Sequence, residues 1–86
     1  MKIYTVLCIT RDLDAPQLIV SNYTSLKQAL QRFQTYQDED KDEGYTISNQ
    51  EIGDYEALNT VKQHFTALDP DTEEKIEEVF LIETEE

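Results

Sequence analysis

The architecture of this chain hangs on Asp54-Tyr55-Glu56-Ala57-Leu58-Asn59-Thr60-Val61-Lys62-Gln63-His64-Phe65-Thr66-Ala67-Leu68-Asp69-Pro70. Asp54 is a good N-cap and Glu56 sits in the first turn after it. Leu58, Val61, Phe65 and Leu68 recur at helical spacing until Asp69-Pro70 stops them. The pattern predicts an amphipathic helix. Just before it, Gly44 to Ile52 reads as a strand, with Tyr45 and Ile47 inside it and Gly53 ending it. Beyond it, Thr72-Glu73-Glu74-Lys75 carries a helix-start pattern. Glu78-Val79-Phe80-Leu81-Ile82-Glu83-Thr84 is a compact apolar run and predicts a strand, preceded at most by one helical turn.

Toward the N-terminus the signals are simpler. In Lys2 to Thr10, Ile3, Thr5, Leu7 and Ile9 alternate with Tyr4, Val6, Cys8 and Thr10. Both sets are largely apolar, which predicts a central strand covered on both sides. Arg11 to Pro16 reads as a turn and Gln17 to Tyr23 as the second strand of a hairpin. Ser25, with Gln28 three residues on, opens a helix through a capping box. Leu26, Ala29, Leu30, Phe33 and Tyr36 form its stripe, and acids should end it at Gln37–Asp38. The last strand, apolar on both faces like the first, should lie beside it in the sheet centre. The predicted order is β-β-α-β-α-β: a single α+β domain over residues 1–86, with a four-stranded, mostly antiparallel sheet and two helices on one face.

Charge is the second strong signal. Nineteen acids face seven bases, a formal net charge of −12. Asp38-Glu39-Asp40-Lys41-Asp42-Glu43 contributes −4 and Asp71 to Glu86 contributes −7, so 22 of the 86 residues carry nearly all of it. Such a surface repels nucleic acid and anionic membrane and attracts basic protein grooves. The seven Lys and Arg are scattered, which disfavours direct phosphate binding. Leu, Ile, Val and Phe make up 22 of the 86 residues, enough for a chain that folds. No apolar run approaches the roughly 20 residues of a membrane span. The single cysteine and the strand pattern at the N-terminus fit a soluble, cytoplasmic protein.

Chemistry is weakly signalled. Asp38-x-Asp40-x-Asp42-x-Gly44 invites a calcium reading. Counted from Asp38, however, Gly44 is seventh and Asn49 twelfth, so an EF-hand fails at both key positions. Cys8 reads as a small buried hydrophobe and His64 as a surface residue, so no nucleophile and base are paired. One Cys and one His make no closed zinc site, and Gly44 and Gly53 make no phosphate loop. The expectation is a non-enzyme without metal or cofactor.

Three pieces resemble small uncharacterised acidic proteins of phages and prophages: Met1-Lys2-Ile3-Tyr4-Thr5-Val6, Tyr23-Thr24-Ser25-Leu26-Lys27-Gln28-Ala29 and Ile76-Glu77-Glu78-Val79-Phe80-Leu81-Ile82-Glu83. Several proteins of that type block host defence nucleases, CRISPR effectors and restriction enzymes among them. The resemblance implies an anti-CRISPR or anti-restriction inhibitor that imitates nucleic acid on a basic surface of such a nuclease. The contact residues would be Asp38, Glu39, Asp40, Asp42 and Glu43, with Tyr36 and Tyr45 flanking them, then Glu73, Glu74, Glu77 and Glu78. The rivals are an interaction or homodimerisation module using the apolar sheet face, and a metal- or small-ligand-binding accessory domain using the acidic loop. Mimicry requires the two acidic segments to share one side.

Overall fold

The computed structural model describes residues 1–11, 17–49 and 61–85. The elements are β1 (Lys2–Thr10), β2 (Gln17–Tyr23), α1 (Leu26–Asp42), β3 (Thr46–Asn49), β4 (Val61–Leu68) and β5 (Lys75–Glu85). All strand pairs are antiparallel, in the order β2-β1-β5-β4-β3. The domain is α+β, but the expected four strands and two helices are wrong. Among the described residues the sheet has five strands and there is one helix. The expected turn at Asp12–Pro16, the strand end at Ile52–Gly53 and the Asp54–Leu58 part of the second helix lie outside the described residues.

The correction centres on Val61–Leu68, which is a strand. Its Phe65 and Ala67 face α1 and are fully buried, while His64 and Thr66 face the other way at 3% and 0% exposure. His64, Phe65, Thr66 and Ala67 alternate polar and apolar as a strand does, but the run is only four residues long and the spacing of Val61, Phe65 and Leu68 fits a helix as well. A bulge between Val61 and Gln63 places Val61 opposite Ile82, off the Phe65 face. The helical spacing of Val61, Phe65 and Leu68 therefore marks no common stripe. Packing decided the conformation here.

Helix α1 begins as its sequence indicates and ends later. Ser25 is the N-cap, its Oγ accepting from the Gln28 backbone N–H at 3.5 Å. The helix runs through the acids to Asp42 instead of fading at Gln37–Asp38, so the expected acidic loop is the last turns of a helix. A Schellman ending closes it: the Gly44 N–H donates to the Lys41 carbonyl and the Tyr45 N–H to the Asp40 carbonyl, both at 3.0 Å. Gly44 supplies the left-handed backbone, φ 91°, that this ending requires. Lys41 in the last turn and a Gln34-to-Asp38 side-chain hydrogen bond of 3.0 Å offset part of the unfavourable acid–dipole interaction.

The core lies between α1 and the sheet. Ala29, Phe33 and Tyr36 recur at helical spacing and pack on Val6 and Cys8 of β1, Phe65 of β4, and Val79 and Leu81 of β5. Phe33 meets Phe65 edge to face, with centroids 5.2 Å apart. As expected, the first and last strands are neighbours: Val6 lies opposite Leu81 and Cys8 opposite Val79. Ile3, Leu7 and Ile9 of β1 and Phe80 and Ile82 of β5 face away from α1 and are half-buried. No helix among the described residues is long and apolar enough to cross a membrane.

Candidate functional site

The end of α1 and the start of β5 meet at one pole of the molecule. The Schellman ending turns the chain so that Glu43 and Tyr45 flank Asp40. The β4–β5 turn brings Asp69 and Glu74 to the same place. These residues, with Glu77, line a cavity of about 440 Å³ whose remaining wall includes Thr10, Arg11 and Lys75. Acids that are roughly thirty residues apart in the chain thus converge. The partial negative charge of the α1 C-terminus points to the same pole and adds to the field.

The β4–β5 turn is tightly fixed. Asp69 Oδ1 accepts from the backbone N–H of Asp71 at 2.8 Å and of Thr72 at 3.3 Å, an Asx-type closure. The Asp69 N–H donates to the Glu74 carbonyl at 2.9 Å, and the Glu73 N–H donates to the Asp69 carbonyl at 2.8 Å. Glu73 takes a left-handed backbone, φ 60°, which an L residue with a side chain adopts only at a cost.

Asp40 is the unusual member of the cluster. It is 5% exposed, on the α1 face that carries Ala29, Phe33 and Tyr36. Burial pushes its carboxyl up to about 8, and a hydrogen bond to Glu77 and the charges of Glu77, Glu43 and Glu39 push in the same direction. Asp40 Oδ2 and Glu77 Oε1 are buried with no donor from another group among the described residues. A proton held on Asp40 and shared with Glu77 satisfies both oxygens. Glu77 also accepts from Thr10 Oγ1 at 3.4 Å. The pole is therefore less negative at neutral pH than its sequence implies.

The other candidate contact residues divide by location. Asp38, Glu39 and Asp42 are exposed on the last turns of α1, and Glu73 and Glu74 are exposed in the turn. Glu78 points to the opposite sheet face from Glu77. It is buried and paired with Arg11 at 3.3 Å and Lys75 at 3.4 Å, so it contributes little net charge outward. Tyr36 is packed into the core under Arg32, whose guanidinium lies 4.4 Å from the ring centroid and donates to the hydroxyl at 3.2 Å. Tyr45 is half-buried at the rim of the cavity.

Catalytic pairing of Cys8 with His64 is excluded by topology. Cys8 faces α1, whereas His64 faces the other side and stacks on Phe80 with centroids 4.1 Å apart. Burial, then the charge of Glu77, pushes the Cys8 thiol up to about 12, so it stays protonated. Burial also lowers the His64 pKa, against the opposing charge of Glu78. Among the described residues, no group of three or more His, Cys, Asp or Glu is placed to hold a metal ion.

Sequence reasoning missed Asp69, Thr10 and Arg11. Asp69-Pro70-Asp71-Thr72 carries a turn signature that could have marked the first of these. Compared with known families, curated proteins and solved structures, the chain matches none.

Proposed function

We propose that this protein binds, through its acidic pole, a basic protein surface that otherwise holds nucleic acid, and that it thereby inhibits a host defence nuclease. One observation carries the reading: acids from the α1 end and from the β4–β5 turn line the same cavity. Duplex DNA presents about one charge per 1.7 Å of axis, and a groove built for that density accepts a fixed carboxylate array. The placement of these acids also supports a binding role. Asp38, Glu39, Asp40, Asp42 and Glu43 lie at the helix end where the macrodipole disfavours acids, and Glu73 in the β4–β5 turn sits on a strained backbone. Steering and specificity, more than raw affinity, are what such an array contributes.

The test uses the exposed helix acids, because their substitution leaves the core alone. Wild-type protein should displace a fluorescent duplex from a purified restriction endonuclease or CRISPR effector, with displacement weakening steeply as salt rises. The triple variant Asp38→Lys, Glu39→Lys, Asp42→Lys should lose at least about tenfold in affinity, with unchanged circular dichroism. Equal displacement by the folded triple variant would remove the exposed α1 acids from the reading. Failure to engage any nuclease with a basic nucleic-acid groove would remove the partner class. A second reading, an interaction module, is favoured by Leu18, Ile19 and Val20, which are 65%, 40% and 53% exposed on β2. The two readings use different surfaces.

A further inference from the structure

We propose that β2 is a self-association edge. Two copies of this chain would pair β2 against β2, antiparallel, about a two-fold axis at Ile19, joining their sheets into one. Among the described residues β2 pairs only with β1, so its outer row of backbone donors and acceptors faces outward. The opposite edge, β3, is only four residues long, whereas β2 has seven.

Edge strands are normally protected by Lys, Pro, a bulge or shortness. Gln17–Tyr23 has none of these. It contains no charged residue and no proline, and its register with β1 runs unbroken from Thr10↔Gln17 to Tyr4↔Tyr23. It also carries three of the most exposed large hydrophobics among the described residues. These features together make an open, flat, apolar edge.

The sequence of the strand is self-complementary. With Ile19 opposite Ile19 of the second copy, Leu18 falls opposite Val20 and Val20 opposite Leu18. Leu18 and Val20 already extend the apolar row of Ile9 and Leu7 on the face away from α1. Pairing would carry that row without interruption into the second sheet, with the two Ile19 side chains meeting on the helix side.

Charge identifies the occupant. A chain of net charge −12 repels its own copy almost everywhere, and a seam free of charge is where that repulsion is least. A basic partner would find nothing on β2 to recognise. The two-fold also separates the acidic poles. Thr10 and Gln17 lie at the polar end of the sheet, and antiparallel pairing sets that end of one copy beside the Tyr4–Tyr23 end of the other. A single edge strand buries less than the roughly 1,200 Å² of a stable complex, so the association is weak and concentration-dependent.

Salt distinguishes this association from binding at the acidic pole. Screening relieves repulsion between two like-charged copies, so self-association should tighten severalfold between about 50 mM and about 500 mM NaCl, whereas pole binding should weaken. Sedimentation velocity up to about 1 mM protein should show a species of twice the 10.0 kDa monomer mass. Val20→Lys, at an exposed position, should abolish that species without changing the circular dichroism. Facing Cα atoms in an antiparallel pair are about 4.5–5.5 Å apart, within disulfide range. Ile19→Cys should therefore crosslink to itself faster than Thr35→Cys, an exposed control on α1; the native Cys8 is buried. A chain that stays monomeric at the highest concentration and salt would overturn the proposal. So would a dimer indifferent to Val20→Lys, or an Ile19→Cys variant that crosslinks no faster than the control.

Discussion

Replacing Asp40 by Asn should make this protein more stable at neutral pH and leave it unchanged in acid. The folded chain holds the Asp40 proton up to about pH 8, while an unfolded chain releases it near 3.8. Between those values folding takes up a proton. The contribution of this group to stability is thus complete below about pH 4 and falls as pH rises, by about 1.4 kcal/mol per pH unit, until it is lost through pH 8. At pH 7 the burden is roughly 4 kcal/mol, a large share of the 5–15 kcal/mol typical of a small domain. Asn keeps the shape and offers Glu77 an N–H in place of the acid proton, without the cost of neutralising a carboxylate. Denatured-state structure and relaxation reduce the difference, so Asp40→Asn should gain about 2–4 kcal/mol at pH 7. Paired urea titrations at pH 4, 7 and 9 read the effect of the Asp40–Glu77 pair, because the remaining carboxylates are common to both proteins and cancel. The gap should be absent at pH 4, open by pH 7 and level off by pH 9. A variant no more stable than wild type at pH 7, or a gap that persists at pH 4, would refute the shared proton.

Glu73→Gly removes the strain of a left-handed residue with a side chain and should raise stability by about 1 kcal/mol, read as a higher thermal midpoint; a lower midpoint would mean that the Glu73 side chain supports the turn. Cys8 should resist a thiol-specific alkylating reagent at pH 8 in the native protein and react at once in denaturant, because it is 1% exposed and its pKa is raised to about 12. Alkylation of the native chain at the rate of a free thiol would contradict its burial.

Much of the fold was legible because local signals and packing agreed. Ser25 and Gln28 marked the start of α1, and the doubly apolar patterns of β1 and β5 predicted their adjacency. Two elements were illegible for different reasons. In β4, the short alternation His64-Phe65-Thr66-Ala67 was outweighed by the helical spacing of Val61, Phe65 and Leu68, and the burial of His64 and Thr66 cannot be read from their polar side chains. In α1, the acids of the last turns argued for an early stop. They are tolerated because Asp40 is buried in its neutral form and the Gly44 ending satisfies the final carbonyls. The Gly44 ending is local, but the burial of Asp40 is not: it lies beside Glu77, which β5 delivers from far along the chain. The acidity of the pole could be read from composition. Its internal division could not, since whether Glu77 or Glu78 faces α1 depends on one residue of register.

That register also bears on how the protein is made. β1 pairs with β5 from Lys2↔Glu85 to Thr10↔Glu77, so the middle of the sheet joins two segments that are far apart in the chain. Such a topology has high contact order, and it folds slowly and only after synthesis of residue 85. Until then β1 waits without its neighbour, apolar on both faces and prone to aggregate.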